Sequence, residues 1–407
     1  MFLLKFALLN LTRNKRRSAI TVLAVGIGLA ALIFLWAFMD GSHEEQRENV
    51  TRLFTGHVQI HAAGFAKKMS AELVIPNRPE VLEKIKSNPR VVSLAPRSKC
   101  EALIGTTAQS KGIVLTGIDL DAEPLVTDIK KQVKEGEFLS GGEGKEILIG
   151  HVLAEKLEVG LGDKVVLMTQ AMDGTLAGFA YRVKGVIHSG ALPLDEYSAF
   201  ISLASSQELL GIDSDIHEIA VRLRSRAEIE GFKKDMQTVL PSDSYEMLAW
   251  NEIVPEVDQW ASYSNAIIQT MLIAVMAVIA VGVMNTILMS IFERTKEIGV
   301  MMALGTGPRQ VVSMIFFETL VLEFIGIILG IGLAYLLVFH FQRVGILMTG
   351  FEDAFAESFM SPVVHPHLAF HRVLTSVKTL VLITSFISLY PAWRAAKMEP
   401  VKAIYHS

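Results

Sequence analysis

Glu293 to Gly332 reads ERTKEIGVMMALGTGPRQVVSMIFFETLVLEFIGIILGIG, and this stretch determines how the rest of the chain is interpreted. A charged segment carries the apolar run Ile298 to Leu304, which Gly305 closes, and then leads into a long apolar helix. A solvated linker between two membrane spans needs charge but has no reason to contain such a run, whereas an amphipathic helix lying on a partner needs both. The stretch therefore predicts a membrane protein whose internal loop contacts another protein.

The composition of the chain favours a membrane protein. Of its 407 residues 51% are hydrophobic and 20% are charged, and the mean hydropathy is +0.41. These values are too apolar for an ordinary soluble protein of this size. Windows that reach the ~17 to 25 residues of a spanning helix are 20–38, 266–292, 311–340 and 373–393. The first window is longer than the apolar core of a signal peptide and has no small-residue cleavage site, so it predicts an uncleaved anchor.

The positions of lysine and arginine predict the orientation. They are concentrated before the first span, between the second and third, and after the fourth, and cytoplasmic loops carry such an excess. We therefore expect the following division: a cytoplasmic N-terminal segment 1–19, a span 20–38, an external domain with helical stalk ends 39–265, a span 266–292, a cytoplasmic segment 293–310, a span 311–340, an external loop 341–372, a span 373–393 and a cytoplasmic tail 394–407.

The block 39–265 has the pattern of an α+β domain, with short apolar runs separated by Gly, Asp and Pro turns. The expected strands are Val91–Leu94, Ile113–Thr116, Glu146–Ile149, Lys164–Thr169, Tyr181–Ile187, Ala199–Ser202 and Ile216–Leu223. Helices with apolar residues at three-to-four spacing are expected at Pro79–Ser87, His151–Leu157, Ala204–Leu210 and Ala227–Leu240. The charged ends, Asp40–Leu53 and Trp250–Asn265, remain compatible with helix, so the first two spans are expected to continue outward as a stalk.

One stretch of the block invites a nucleotide-binding interpretation. Leu139-Ser140-Gly141-Gly142-Glu143 resembles the signature of ABC ATPases and is followed by Gly144-Lys145. A phosphate-binding loop, however, requires Gly-x-x-x-x-Gly-Lys-Ser/Thr, and Glu146 follows the lysine. We interpret the stretch as a glycine turn before a strand, and we expect no catalytic residue and no cofactor on this chain.

Histidine and cysteine offer little support for a metal site. His57 and His61 would share a strand face, and a second group in the last external loop consists of His365, His367 and His371. Neither group has Cys or carboxylate partners at metal-site spacing, which favours a structural or solvated role. We predict no metal, while the role of the second group stays open. The single Cys100 cannot form an internal disulfide, and we expect a buried, inert thiol.

Charged residues inside the spans are costly, because an unpaired ion at the bilayer centre costs at least ~2.5 to 3.5 kcal/mol. Glu318 and Glu323 lie in the third span and Lys378 in the fourth. We expect Glu318 to pack against Arg294 or against the edge of a partner protein. For Lys378 we expect a side chain that snorkels to the membrane surface.

Small residues at four-residue spacing predict close helix packing. Gly326 and Gly330 form such a pair in the third span, and Gly26 and Ala30 form one in the first. Dimerisation is the expected use, with packing inside the chain as the alternative.

At this point a family resemblance is clear. The motifs are Glu293-Arg294-Thr295-Lys296-Glu297-Ile298-Gly299, Ala303-Leu304-Gly305, Tyr390-Pro391-Ala392-Trp393-Arg394-Ala395-Ala396 with Glu399-Pro400-Val401, and Glu146-Ile147-Leu148-Ile149-Gly150 with Leu157 to Asp163. Together with Glu318 and the glycine-rich third span, they resemble the MacB, FtsX and lipoprotein-releasing (LolC/LolE-like) superfamily of ABC transporter permeases. The resemblance covers essentially the whole chain. Met301 departs from it, because many relatives have a basic residue there.

The resemblance implies a membrane α-helical fold with four transmembrane helices and a large α+β periplasmic domain inserted between helices 1 and 2, the MacB/FtsX-type or type VII ABC permease. It implies a multi-pass protein of the bacterial inner membrane with both termini cytoplasmic. It also implies mechanotransmission, in which a cytoplasmic ABC ATPase dimer hydrolyses ATP with Mg²⁺ and its motion reaches the periplasm. This chain itself would then be no enzyme.

In such permeases the segment between spans two and three is the coupling helix. Carried onto this sequence, the ATPase-coupling residues are Glu293, Arg294, Lys296, Glu297, Ile298, Met301, Met302, Leu304, Gly305 and Arg309. If Glu297 to Leu304 is one helix, Ile298, Met301 and Met302 fall at three-to-four spacing. We expect these three to form the apolar face that enters a groove on the ATPase.

The resemblance leaves the substrate open. We favour release of lipoproteins toward a periplasmic carrier, because of the size, the four-span layout, the absence of a fused ATPase and Pro308-Arg309-Gln310. The alternatives are MacB-like efflux of drugs or amphiphiles with an adaptor, and FtsX-like regulation of cell-wall hydrolases. Further expected partners are a second permease copy or related subunit, membrane lipids and the lipoprotein or amphiphile itself, but no nucleic acid.

Overall fold

The computed structural model describes residues 15–75, 78–141, 144–350, 355, 358–361 and 363–399. The chain divides into two compact units. The first, here called the helical unit, comprises Met1–Ser42, Ala261–Leu347 and Val363–Ser407, and the second, the α+β unit, comprises His43–Trp260 and Met348–Pro362. The ends of the predicted N-terminal segment and of the predicted tail, including Pro400 and Val401, lie outside the described residues.

Helices of the described chain are numbered here in chain order. They are α1 (Lys15–Val50), α2 (Phe65–Lys68), α3 (Arg78–Lys86), α4 (Glu123–Val126), α5 (His151–Leu157), α6 (Leu192–Tyr197), α7 (Leu203–Leu210), α8 (Ile229–Gln237), α9 (Trp250–Ile253), α10 (Pro255–Glu293), α11 (Thr295–Ala303), α12 (Pro308–Val344) and α13 (Phe370–Ala396). A single π-helical turn, Thr51–Thr55, follows α1.

Four of these helices, α1, α10, α12 and α13, are long and apolar enough to cross a membrane. Each contains an almost unbroken run of residues such as Leu, Ile, Val and Phe. This run is long enough to cross the hydrocarbon core of a bilayer. Each predicted span lies inside one of them, so the predicted four-helix membrane architecture is confirmed. Helices α1 and α10 contain 36 and 39 residues. The charged stretch after the first span continues α1 as far as Val50, whereas the stretch before the second span is divided at Val254 between α9 and the start of α10.

Strands of the described chain form one large sheet and one small hairpin. They are β1 (Val58–Ala62), β2 (Val91–Gly105), β3 (Ser110–Ile118), β4 (Val133–Gly136), β5 (Glu146–Gly150), β6 (Lys164–Gln170), β7 (Leu176–Ile187), β8 (Ser198–Ser202), β9 (Glu218–Leu223), β10 (Tyr245–Ala249), β11 (Ile346–Leu347) and β12 (Val363–Val364). In the large sheet the order is β10-β1-β9-β2-β3-β8-β5-β7-β4, and β6 pairs with both β2 and β7.

The sheet mixes parallel and antiparallel pairs, as expected for an α+β domain. Strands β3 and β8 are parallel, as are β5 and β7, while the other pairs are antiparallel. Strand β6 alternates exposed and buried residues, so one face is solvated, whereas every residue of β1 is buried. Two apolar clusters fill the unit, one around Ile60, Ile219 and Phe232 and the other around Leu115 and Tyr181.

Every strand expected from the sequence is present, but five described strands were missed: β1, β4 and β10 of the large sheet and β11 and β12 of the small one. The expected strand Val91–Leu94 is the start of β2, which continues to Gly105. The predicted strand was too short because Arg97, Lys99 and Glu101 interrupt the apolar pattern of β2. The structure explains these charges, since Arg97 and Lys99 belong to a buried ion-pair network.

Arg97 is the centre of that network and is only 4% exposed. Its guanidinium donates to Glu123 at 2.6 and 2.8 Å, to Glu218 at 2.7 Å and to the carbonyl of Phe54 at 2.9 Å. Burial alone would raise the pKa of Glu218, but the charges of Lys99 and Arg97 outweigh it and hold that pKa at about 2. The network therefore ties β2 and β9 to the turn that follows α1.

Part of the predicted external loop 341–372 belongs to the α+β unit. The Gln46 side chain donates to the carbonyl of Ser358 at 2.6 Å, and Asn49 donates to the carbonyl of Phe359 at 3.1 Å. Phe359 itself is 7% exposed and joins the larger apolar cluster. The loop is thus held against the outer part of α1.

Candidate functional site

The predicted coupling segment folds as a short helix between two spanning helices. Helix α10 ends at Glu293, Arg294 leaves helical geometry with φ −110° and ψ 14°, and α11 begins at Thr295. The hydroxyl of Thr295 donates to the carbonyl of Ile291 at 3.0 Å, which keeps the break short. A change of helix direction therefore occurs at one residue.

Arg294 fixes this break to the third spanning helix. Its side chain donates to Glu318 of α12 at 3.0 Å and to Glu297 of α11 at 3.1 Å. Arg294 and Glu318 are each 8% exposed, so the pair is shielded from water. A buried pair of this kind holds α11 to α12, because separating it would leave a charge without compensation.

Arg17 of α1 binds the end of α10, next to Arg294. Its guanidinium donates to Glu293 at 2.7 Å and to the hydroxyl of Ser290 at 3.0 Å. This contact was not predicted from the sequence. The two residues are 276 positions apart, and no local pattern connects them.

One prediction about α11 is wrong. Ile298 was expected on the exposed apolar face, but it is 2% exposed and packs inside the helical unit. Met301 and Met302 are half-buried and pack against the same cluster. The apolar face that was expected to bind the ATPase therefore packs largely inside the helical unit. The helix is apolar on nearly every side, so the sequence does not show which side faces the neighbouring spans.

A different face of α11 is exposed. Val300 is 46% and Leu304 83% exposed, and Lys296 is exposed four residues before Val300. Residues at this spacing lie along one side of a helix. The described helical unit thus presents an apolar stripe with a lysine at one end, and Glu297 is half-buried beside it.

The end of α11 depends on glycine. Gly305 has φ +102°, a conformation that side chains strongly disfavour, and its N–H donates to the carbonyl of Met302 at 3.1 Å. The N–H of Gly307 then donates to the Gln310 side chain at 3.0 Å as α12 starts at Pro308. Arg309 is exposed in this first turn.

The other charged residues of the spans occupy different environments. Glu323 is 3% exposed and accepts a hydrogen bond from the hydroxyl of Thr384 at 2.5 Å, which links α12 to α13. Lys378 is exposed on α13, and its snorkelling to the membrane surface stays a prediction. The structure therefore brings Glu318 and Glu323 into helix contacts but not Lys378.

The small residues pack within the chain. A Cβ on Gly326 would lie 2.7 Å from the Val25 side chain, and one on Gly330 would lie 2.8 Å from the carbonyl oxygen of Gly26. Ala30, one turn further along α1, is 1% exposed. These residues let α1 and α12 approach closely, so the expected use in dimerisation is corrected to packing of the first span against the third.

We expect Gly330→Val to reduce the yield and thermal stability of the folded chain in detergent. The added side chain would overlap backbone of α1, and overpacking of this kind costs typically ~1–3 kcal/mol. Gly332→Val is the matched control, because a Cβ on Gly332 meets no described atom within 4 Å. Equal losses for both variants would mean that helix propensity, not contact with α1, explains the effect.

The histidines and the cysteine that were considered as site residues make contacts typical of structural residues. His61 lies between the Gln59 side chain and the carbonyl of His217, and the backbone N–H of His367 donates to the carbonyl of Ala37 at 2.8 Å. Within the described ranges, no group of three His, Cys, Asp or Glu residues is placed to hold a metal ion. Cys100 is buried, and burial raises the pKa of its thiol to about 11.

The described part of the stretch that resembles an ATPase signature, residues 139–141, is irregular backbone between β4 and β5. Gly141 has φ +70°, and both the N–H and the hydroxyl of Ser140 donate to Glu146 at 2.8 and 2.9 Å. Gly142 and Glu143 lie outside the described residues. The lysine that follows, Lys145, pairs with Glu208 at 2.9 Å.

Two family models match this chain. Residues 18–239 match the MacB-like periplasmic core domain, and residues 270–400 match the FtsX-like permease C-terminal domain. The first match covers the α+β unit up to Val239, and the second covers most of α10 together with α11, α12 and α13.

Proteins similar to this chain include a lipoprotein-releasing protein and a macrolide exporter. The lipoprotein-releasing system transmembrane protein LolC of Xylella fastidiosa is 22% identical over 97% of this chain and 97% of its own length. The macrolide export ATP-binding/permease protein MacB of Psychrobacter cryohalolentis is 22% identical over 98% of this chain but 59% of its own length. The crystal structure of the periplasmic region of MacB from Actinobacillus actinomycetemcomitans covers 52% of this chain and 97% of that one, with 13% identity and a TM-score of 0.36.

Proposed function

This chain belongs to the family of ABC transporter permeases that join a MacB-like periplasmic core domain to an FtsX-like permease domain, and on that premise we propose that it extracts lipoproteins from the inner membrane for a periplasmic carrier. The observation that carries the proposal is the likeness to LolC over 97% of both chains. A permease that moves amphiphiles needs no pore of its own, only spans that transmit motion to an external domain.

We propose that the motion begins at the exposed face of α11. A separate cytoplasmic ATPase dimer, which binds ATP and Mg²⁺, would receive Val300 and Leu304 in an apolar groove, with Lys296 at its edge. The pairs Arg294–Glu318 and Arg17–Glu293 support this role, because they connect α11 and the end of α10 to α12 and α1. A push on α11 would then reach three spanning helices together.

Helix length supports the rest of the path. At a rise of 1.5 Å per residue, the 36 residues of α1 and the 39 residues of α10 exceed a bilayer core of ~30 Å by roughly 20 Å or more. Both helices can therefore carry displacement beyond the membrane as stiff rods. With both termini in the cytoplasm, the α+β unit would lie in the periplasm and act there together with a second permease subunit.

Efflux is the second candidate function, and the likeness to MacB over 98% of this chain favours it. The two functions differ in what stimulates ATP hydrolysis and in what leaves the membrane. They can therefore be separated in one reconstituted system.

The test uses the complex purified through this chain and reconstituted in proteoliposomes with a triacylated lipoprotein. We expect ATP to release the lipoprotein into the soluble fraction only when a periplasmic carrier is present, by at least about tenfold over the reaction without ATP. Vesicles that receive non-hydrolysable nucleotide are the control. Absence of release combined with macrolide-stimulated ATP hydrolysis would contradict lipoprotein release and support efflux instead.

A further inference from the structure

The α+β unit contains an open pocket of about 410 Å³ whose wall is rich in arginine. It forms where the π-helical turn after α1, the start of β1 and the end of β9 meet the loop before α8. Arginines from these separate elements that line it are Arg52, Arg222, Arg224 and Arg226. Glu48 is the one acidic residue of the described wall, so positive charge dominates.

Two of these arginines already have carboxylate partners. Arg52 binds Asp128, with its Nε 2.7 Å from the carboxylate, and lies 3.8 Å from Glu48. Arg226 uses its Nη2 to bind Glu44, while the buried Nη1 of the same guanidinium has no hydrogen-bond partner among the described residues. The pocket therefore keeps a donor available even at a paired arginine.

The other two arginines carry the excess charge. The side chains of Arg222 and Arg224 make no hydrogen bond or ion pair with any residue that the structure describes. Arg222 lies near the end of β9 and Arg224 follows the strand directly, and both line the pocket. Arg224 is exposed and Arg222 half-buried, which places one at the mouth and one deeper in the wall.

His57 adds a neutral donor to the same wall. Its Nδ1 accepts a hydrogen bond from the N–H of Leu223 at 2.9 Å, so the proton of the neutral ring is on Nε2. Burial, together with the positive charges of Arg222 and Arg226, lowers the pKa of His57 to about 4. The ring is thus uncharged at neutral pH.

We propose that this pocket binds a phosphate-bearing anion. Guanidinium groups present paired N–H donors that match phosphate oxygens, and several arginines from different elements can surround one such group. A pocket that is open on one side admits a phosphate attached to a larger molecule. The chemistry is shared by a phospholipid headgroup and by free phosphate, and it does not depend on which cargo the permease moves.

The experiment uses the full chain in a phosphate-free, non-ionic detergent buffer and two probes. One probe is inorganic phosphate, and the other is monomeric short-chain phosphatidylglycerol, with titration followed by calorimetry. Tighter binding of the lipid assigns the pocket to headgroups, and equal or tighter binding of phosphate assigns it to the free anion. We expect Arg224→Gln to weaken binding at least about tenfold, since each charge-assisted contact is worth that much or more, and the Arg222→Gln/Arg224→Gln variant to abolish it.

Two controls make the result specific. Arg182→Gln changes an exposed arginine of the same unit that does not line the pocket, and it should bind both probes as the unchanged chain does. A bound anion stabilises the imidazolium form, so NMR of ¹³C-labelled histidine should show the pKa of His57 rising from about 4 when the probe is added. If neither probe binds, or if the double variant binds as tightly as the unchanged chain, the pocket is not a phosphate site.

Discussion

Leu304→Glu is expected to detach the permease from its ATPase while leaving the permease folded. Leu304 is 83% exposed, so its replacement removes almost no contact inside the chain. In the proposed complex the same position lies in an apolar groove, where an unpaired carboxylate costs about 3 kcal/mol or more. Since each 1.4 kcal/mol changes an equilibrium constant tenfold, affinity for the ATPase should fall by about a hundredfold.

The measurement is the amount of ATPase that co-purifies with the tagged chain, alongside ATP-dependent transport in proteoliposomes. Leu125→Glu is the matched control, because Leu125 is a 63% exposed leucine of the α+β unit. It adds the same charge and should change neither quantity. Val300→Glu should repeat the loss seen at Leu304. Normal ATPase binding and normal transport by Leu304→Glu would show that this face of α11 is not the contact.

The membrane architecture could be predicted from the sequence because the bilayer imposes one simple requirement. Each spanning helix needs about 20 apolar residues, and Ile20 to Phe38 or Val311 to Phe339 meet it whatever the helices pack against. The strands of the α+β unit were harder to predict where polar side chains are buried. Strand β1 was missed because Gln59 and His61 interrupt its apolar pattern, yet both are buried, 1% and 2% exposed, and bonded to each other or to neighbouring backbone.

The coupling helix shows a different limit of sequence patterns. Ile298, Met301 and Met302 form one apolar stripe of α11, and Val300 with Leu304 forms another. Periodicity identifies both stripes but not which of them turns inward, since that depends on the neighbouring spans. The ion pair of Arg17 with Glu293 could not be predicted from a local pattern, because the two residues come together only in the folded chain. The contact of Arg294 with Glu318 was one of the two alternatives predicted for Glu318, because a charge in a span needs a partner.

We expect replacement of Glu318 to destabilise the chain more than replacement of its partner Arg294. Glu318→Leu should destabilise the helical unit by about 3–5 kcal/mol, because it removes the buried carboxylate that binds the buried guanidinium of Arg294. Arg294→Leu should cost less. A carboxyl group stranded in an apolar site can take up a proton and become neutral, whereas a guanidinium stays charged.

The double variant Arg294→Leu/Glu318→Leu separates folding from coupling. With both charges gone the buried site becomes apolar, so thermal unfolding of the full chain in detergent should occur at a higher temperature than in Glu318→Leu. Transport should nevertheless stay low, because α11 has lost the contact that joins it to α12. Lys378→Leu, which removes an exposed charge of α13, should leave both measurements near those of the unchanged chain. Equal destabilisation by the two single variants, or a double variant as unstable as the sum of both, would contradict a buried pair. Recovered transport in the double variant would show that the pair serves folding and has no part in coupling.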